Sequence, residues 1–149
     1  MPKEFDISGL GFSAVLIASG YFPSGFPINQ FSLDSDPLDG VNISPSKVIL
    51  DVNGNAIAIR RPQLIPVKFS IIPCGADETY LDALFSANTP AHGKKINKDI
   101  LTLIMTYADG TIKTLTGGTC GDYTPFRTID SRGKYRPREY NFTFTDIKM

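Results

Sequence analysis

Hydrophobic positions along this chain fall in short bursts, most of them alternating with polar residues, and each burst is cut off by Gly or Pro. Residues 12–19 (FSAVLIAS) form an apolar run bounded by glycine on both sides, which predicts a buried strand. Residues 47–52 and 56–60 alternate on either side of Asn53-Gly54-Asn55. Asn-Gly tolerates positive φ, so this stretch predicts a hairpin with a two-residue turn. Residues 64–72 (LIPVKFSII) predict another strand, with Pro66 and Pro73 pushing its ends toward a sheet edge. Residues 77–88 carry the helical pattern: Asp77 as N-cap, Glu78 in the first turn, and Tyr80, Leu81, Leu84 and Phe85 on one face. Asn88 and Pro90 stop it. A second hairpin is expected from residues 100–107 and 111–116 around Ala108-Asp109-Gly110. Gly117-Gly118 interrupts the pattern, residues 119–128 extend it, and residues 140–147 (YNFTFTDI) alternate as a terminal strand.

Between these elements lie two stretches without regular pattern. Residues 21–40 hold Pro23, Pro27 and Pro37, and only 28–33 alternates enough to pair as a strand. A loop this long is functional or disordered, and Tyr21, Phe22, Phe26 and Phe31 argue against disorder. Residues 127–138 read as a basic loop. The whole predicts a mainly-β chain of about seven to nine short strands, a β-sandwich or small barrel with one helix packed on it.

Composition narrows the functional classes. With 149 residues, 42% of them hydrophobic, the chain has the size of one domain and can bury a core. Fifteen basic residues balance fifteen acidic ones, which argues against a dedicated nucleic-acid binder. No apolar run reaches the ~18–20 residues of a membrane span, and the N-terminal residues lack the basic start and unbroken apolar core of a secretory signal. The chain therefore reads as cytosolic, which leaves the sequons Asn42-Ile43-Ser44 and Asn141-Phe142-Thr143 idle. Cys74 and Cys120 are expected as two buried thiols rather than a disulfide.

Candidate chemistry is thin. Asp34-Ser35-Asp36-Pro37 with Asp39 has a superficial calcium look, but no twelve-residue loop with a closing Glu follows, and Asx-turns account for it. His92-Gly93-Lys94-Lys95 lacks the lead-in and following Ser/Thr of a phosphate loop. His92 is the single histidine and has no paired cysteine or histidine, so no metal site, cofactor site or catalytic group is assigned and the chain is not expected to be an enzyme. The charge layout carries more. Residues 1–46 hold five acids (Glu4, Asp6, Asp34, Asp36, Asp39) and one base, and residues 127–138 hold five bases (Arg127, Arg132, Lys134, Arg136, Arg138) and one acid. Such a split suits a head-to-tail contact between copies, which makes rings where it closes and filaments where it does not.

The order of these pieces resembles one family: an early strand, a long Pro/aromatic loop ending in an acidic stretch, a D-V-N-G-N hairpin tip, R-R-P-Q, the strand L-I-P-V-K-F-S-I-I-P, and a helix with residues 80–88 reading Y-L-D-A-L-F-S-A-N. It is similar to the tail tube proteins of contractile-tailed bacteriophages. The resemblance covers residues 12–149 and implies a structural virion protein, made in the host cytoplasm. Six copies would close a ring, and rings would stack into a hollow tube for passage of DNA, read without sequence specificity, with a tape-measure protein in the lumen and sheath, baseplate and terminator proteins as partners. It implies that the strands around Asn53, Gly54, Asp109 and Gly110 build an inter-subunit barrel. Ring stacking falls to Tyr21, Phe22, Phe26, Phe31, Asp34, Asp36 and Asp39 against Arg127, Arg132, Lys134, Arg136 and Arg138. The other readings are a tube terminator or baseplate-hub protein and a carbohydrate-binding β-sandwich, the latter disfavoured by the absence of Trp.

Overall fold

Alternation of apolar and polar residues turns into one antiparallel sheet folded around a core. The computed structural model describes residues 11–32, 36–93, 95 and 98–148. In chain order the elements are β1 (Ser13–Ala18), β2 (Phe22–Ile28), β3 (Leu38–Gly40), β4 (Ser46–Leu50), β5 (Ala56–Arg60), β6 (Ile65–Ile71), α1 (Ala76–Ala87), β7 (Leu101–Thr106), β8 (Ile112–Tyr123), β9 (Arg138–Phe144) and β10 (Asp146–Lys148). Eight of the strands share one sheet in the order β2-β1-β7-β8-β9-β6-β3, with β10 also on β8, while β4 and β5 pair only with each other. The sheet ends at β2 and β3 and does not close into a barrel. The mainly-β expectation with one helix holds.

The fold turns on β8. Its first half pairs with β7 and, on the opposite edge, with β10; its second half pairs with β9. The chain therefore runs unbroken from one half of the sheet into the other through Gly117-Gly118, where two separate strands were expected. Glycine is required there: Gly117 has φ +67°, and a Cβ on Gly118 would run into the Phe144 ring and lie 3.1 Å from the Leu101 Cβ. Both halves face one cluster. Leu16, Leu101, Leu103 and Leu115 come from one side, Phe69, Tyr140, Phe142 and Phe144 from the other, and Leu81, Leu84 and Phe85 from α1. Phe31 links the halves, its ring 5.4 Å from Phe12 and 5.6 Å from Phe69. A Gly118→Ala chain is expected to lose about 1–3 kcal/mol by overpacking this corner, to be read from the thermal melt.

Three local expectations are corrected. The prolines of residues 21–28 do not prevent a strand: β2 carries Pro23 and Pro27 because, among the described residues, it is the outermost strand and has one edge without a ladder to fill. By contrast, the strand expected over residues 28–33 is reduced, beyond Ile28 at the end of β2 and among the described residues, to the single Phe31–Ile71 bridge. β6 lies inside the sheet, between β9 and β3, despite Pro66. Ser70 donates its amide to Pro37 on the β3 side, so by the two-residue alternation position 66 faces the same way, past the Val67–Gly40 pair where β3 ends. Finally, α1 starts one residue before Asp77, with Gly75 as a cap that offers no side chain. The Asp77 carboxylate accepts the amides of Asn29 and Gln30 at 2.9 Å, and Gln30 returns its side-chain oxygen to the Asp77 amide at 3.1 Å. The helix start is thus capped by the segment after β2.

Candidate functional site

The strands β4 and β5 form an arm that leaves the sheet. From Asp39 to Pro62 every residue except Asp51 is exposed. The register pairs Val48 with Ala58 and Leu50 with Ala56 on one face, and Lys47 with Ile59 and Ile49 with Ile57 on the other. Both faces are therefore apolar, and neither is covered: Leu50 is 71% exposed and Val48 63%. A two-stranded hairpin alone in water is marginal at best, and an exposed apolar surface marks a place of contact. Lys47, Arg60 and Arg61 surround its base.

The arm's tip is held by one carboxylate. Asp51 accepts the Asn55 and Asn53 amides at 2.8 and 2.9 Å and the Asn55 side-chain amide at 3.1 Å, and these bonds hold its carboxyl below the ordinary value, the Asn55 amide contributing most. The Asp51 amide donates to the Asn55 carbonyl, and Gly54, at φ +79°, donates to the Asp51 carbonyl. The loop therefore has three residues ending in a left-handed glycine, rather than the two-residue turn expected from Asn-Gly. The same bonds recur at Tyr107 to Thr111, with Gly110 at φ +91°, and at Asp130 to Lys134, with Gly133 at φ +78°.

That third turn closes the basic loop of residues 127–138 on itself as a short hairpin. Thr128 accepts the Arg136 amide, Ile129 bridges Tyr135, and Asp130 caps the turn as Asp51 does. The spacing Asp130-Ser-Arg-Gly133 repeats Asp51-Val-Asn-Gly54, the signal by which the sequence could have shown this hairpin.

The two arginines at its feet share one carboxylate of α1, Arg138 buried and Arg127 exposed. Glu78 on α1 is 2% exposed; its Oε1 accepts Arg127 Nη2 at 2.6 Å and Nε at 2.9 Å, and its Oε2 accepts Arg138 Nη1 at 3.2 Å. Arg138, 5% exposed, also donates to both oxygens of Asp82 and to the Thr124 carbonyl, and the Tyr140 hydroxyl donates to Asp82 at 2.6 Å. Burial pushes the Glu78 carboxyl up, but the Arg127 hydrogen bonds, the Cys74 amide and the two guanidinium charges outweigh it and hold the carboxyl below its ordinary value.

The sequence-marked residues fall into separate groups. Asn53 and Gly54 sit at the tip of the arm, Asp109 and Gly110 at the tip of the β7–β8 hairpin. Arg132, Lys134 and Arg136 are exposed on the third hairpin, whereas Arg127 and Arg138 are ion-paired to α1 of the same chain. Phe26 is in the core, and Phe22 and Phe26 pack on Tyr80 of α1; only Tyr21 of the four aromatic residues is exposed. Asp36 and Asp39 are exposed, and Asp34 lies outside the described residues. Lys134 and Tyr135 line one groove with Phe31 and Ser32, so the basic hairpin lies beside the chain that leads into the acidic stretch. His92 is exposed in a turn.

The thiols are both free, and Cys74 is exposed rather than buried. Cys120 is mostly enclosed; burial, with Asp99 nearby, pushes its thiol up to about 12. With a thiol reagent at neutral pH, Cys74 is expected to react at least about tenfold faster than Cys120 in the folded chain. Equal rates would place Cys120 nearer solvent than it is.

The family model described as tail fiber protein gp32 matches residues 5–148. Among solved structures, the tube-terminating cap of the anti-feeding prophage shares 12% identity at a TM-score of 0.58, covering 99% of this chain and 93% of that one. The sheath/tube terminator of the extracellular contractile injection system PVC shares 16% at 0.54, covering 97% and 96%. The PVC sheath–tube complex shares 14% at 0.52, covering 91% and 86%. At these identities the likeness is one of fold. No curated protein sequence matches the chain.

Proposed function

The chain belongs to the tail fiber protein gp32 family, and on that footing we propose that it is a structural subunit of a virion tail, forming hexameric rings that stack into the hollow tube through which DNA leaves the particle. One observation carries the reading: a fold like that of tube components bears an arm whose two apolar faces are both uncovered. An arm of this kind orders fully only when neighbouring copies enclose it. Sheath, baseplate and terminator proteins are then its partners, and the tape-measure protein and DNA occupy the lumen.

A second reading, a terminating ring at the end of such a tube, is supported by the near-complete overlap with the anti-feeding prophage cap and the PVC terminator. Negative-stain microscopy with light scattering on the purified chain separates the two. Stacked rings of uniform diameter are expected for a tube subunit, and single rings that never stack for a terminator. A chain that stays monomeric even on a purified tail baseplate would overturn both and turn attention to a binding module.

A further inference from the structure

The third hairpin, residues 128–136, is attached to the body in an unusual way. Its two feet, Arg127 and Arg138, stand on opposite oxygens of one buried carboxylate, that of Glu78. Arg127 also lies over the Tyr135 ring, 5.4 Å from its centre, which ties the first foot across to the second strand. Beyond the feet the residues of the hairpin are exposed or half-buried, and none belongs to the hydrophobic core. The feet are not equivalent. Arg138 begins β9, where the main-chain ladder with Ile71 holds it whatever its side chain does. Arg127 belongs to no strand, so its side chain is what binds the first foot to the body.

We propose that Glu78 is a latch that fixes the direction of the basic hairpin, and that releasing the Arg127 side of the latch frees its first limb, residues 128–130, while the sheet stays folded. The turn at the end of that limb carries Arg132, so the latch decides where that charge stands. A carboxylate gripped from two sides by guanidinium groups is a strong and directional tie. A two-stranded hairpin cut loose from its support is marginal and frays. Around Glu78 the charged and titratable groups are Arg127 and Arg138 on the hairpin feet, with Asp82 and Tyr140 reaching the same Arg138.

Amide hydrogen exchange on the whole chain tests this. In an Arg127→Met variant the Asp130 and Arg136 amides, which close the hairpin onto Lys134 and Thr128, are expected to exchange about tenfold faster, the effect of losing one charge-assisted tie. The amides of β1 and β7 should keep their wild-type rates. Glu78→Gln should give the same local pattern. Unchanged hairpin exchange in Arg127→Met overturns the latch, and so does an equal acceleration across β1, β7 and the hairpin, since Glu78 would then support the fold as a whole. Because Arg127 is partly exposed, its variant tests the proposal even where Glu78→Gln does not fold.

Discussion

A Val48→Asp/Ile57→Asp double variant, with one charge on each face of the arm, is expected to stay monomeric at concentrations where the wild-type chain forms the rings or tubes proposed above. The two positions lie on opposite faces, since Val48 pairs with Ala58 and Ile57 with Ile49. Each carboxylate would have to be stripped of water against an apolar neighbour, and an unpaired buried charge costs several kcal/mol. The same substitutions touch nothing in the core of the chain itself. Its melting temperature should therefore move by no more than about 2 °C, the effect of an ordinary surface change. Light scattering and thermal denaturation on one sample read both quantities. Intact assembly would remove the arm from the interface. A large fall in melting temperature would mean that the arm rests on its own body. Each single variant gives a finer result: if either alone prevents assembly, both faces are covered by neighbours.

Arg138→Met is expected to lower the stability of the chain by about 1–3 kcal/mol, because it takes the donor from one oxygen of a buried carboxylate. Glu78 would keep Arg127 on one oxygen and lose its partner on the other, and Asp82 would keep only the Tyr140 hydroxyl. Chemical denaturation gives the loss directly, and a value below about 1 kcal/mol would show that the network contributes only as surface pairs do. Acid provides a second reading of the same network. Because the folded chain holds the Glu78 carboxyl below its ordinary value of 4.5, the stabilisation is fully present above that value and disappears as the pH falls through the lower, folded one. Glu78→Gln removes this titration, so its stability should fall less steeply below about pH 4.5 than that of the wild type.

How far the sequence reveals all this depends on the range of each interaction. The arm and the β7–β8 hairpin are legible because their strands and turn lie within about fifteen residues, and alternation plus a glycine signals both. The helix is legible for the same reason: Leu81, Leu84 and Phe85 are neighbours on one face, and all three are buried. Tyr80 shares the pattern but stays 43% exposed, leaning on Phe22 and Phe26 at the surface. What stays hidden is decided at a distance. Pro27 is harmless in β2 because no strand among the described residues lies beyond it, and a strand's place at the rim cannot be read from the strand itself. Glu78 looks like a first-turn acid complementing the helix dipole, yet its partners lie 49 and 60 residues downstream. Asp99 is the same case: a loop acid in the sequence, it accepts the amides of Gly20 and Tyr21 and the side chain of Asn88, pinning the β1–β2 turn to the end of α1. Residues 127–138 do carry the basic charges the sequence counts, but the feet, Arg127 and Arg138, are tied to α1 of the same chain, which only the fold reveals.

The strand that turns the corner at Gly117-Gly118 has a mechanical consequence. In a sandwich of two separate sheets, a load that pulls the layers apart is resisted by side-chain contacts and the connecting loops alone. Here β8 belongs to both halves, so tension between them runs along a covalent backbone. To part, the halves must first break the β8 ladder with β7 and β10 or the one with β9. In the tube proposed above, a subunit with this wiring would carry an axial load along its own backbone as well as through side-chain contacts.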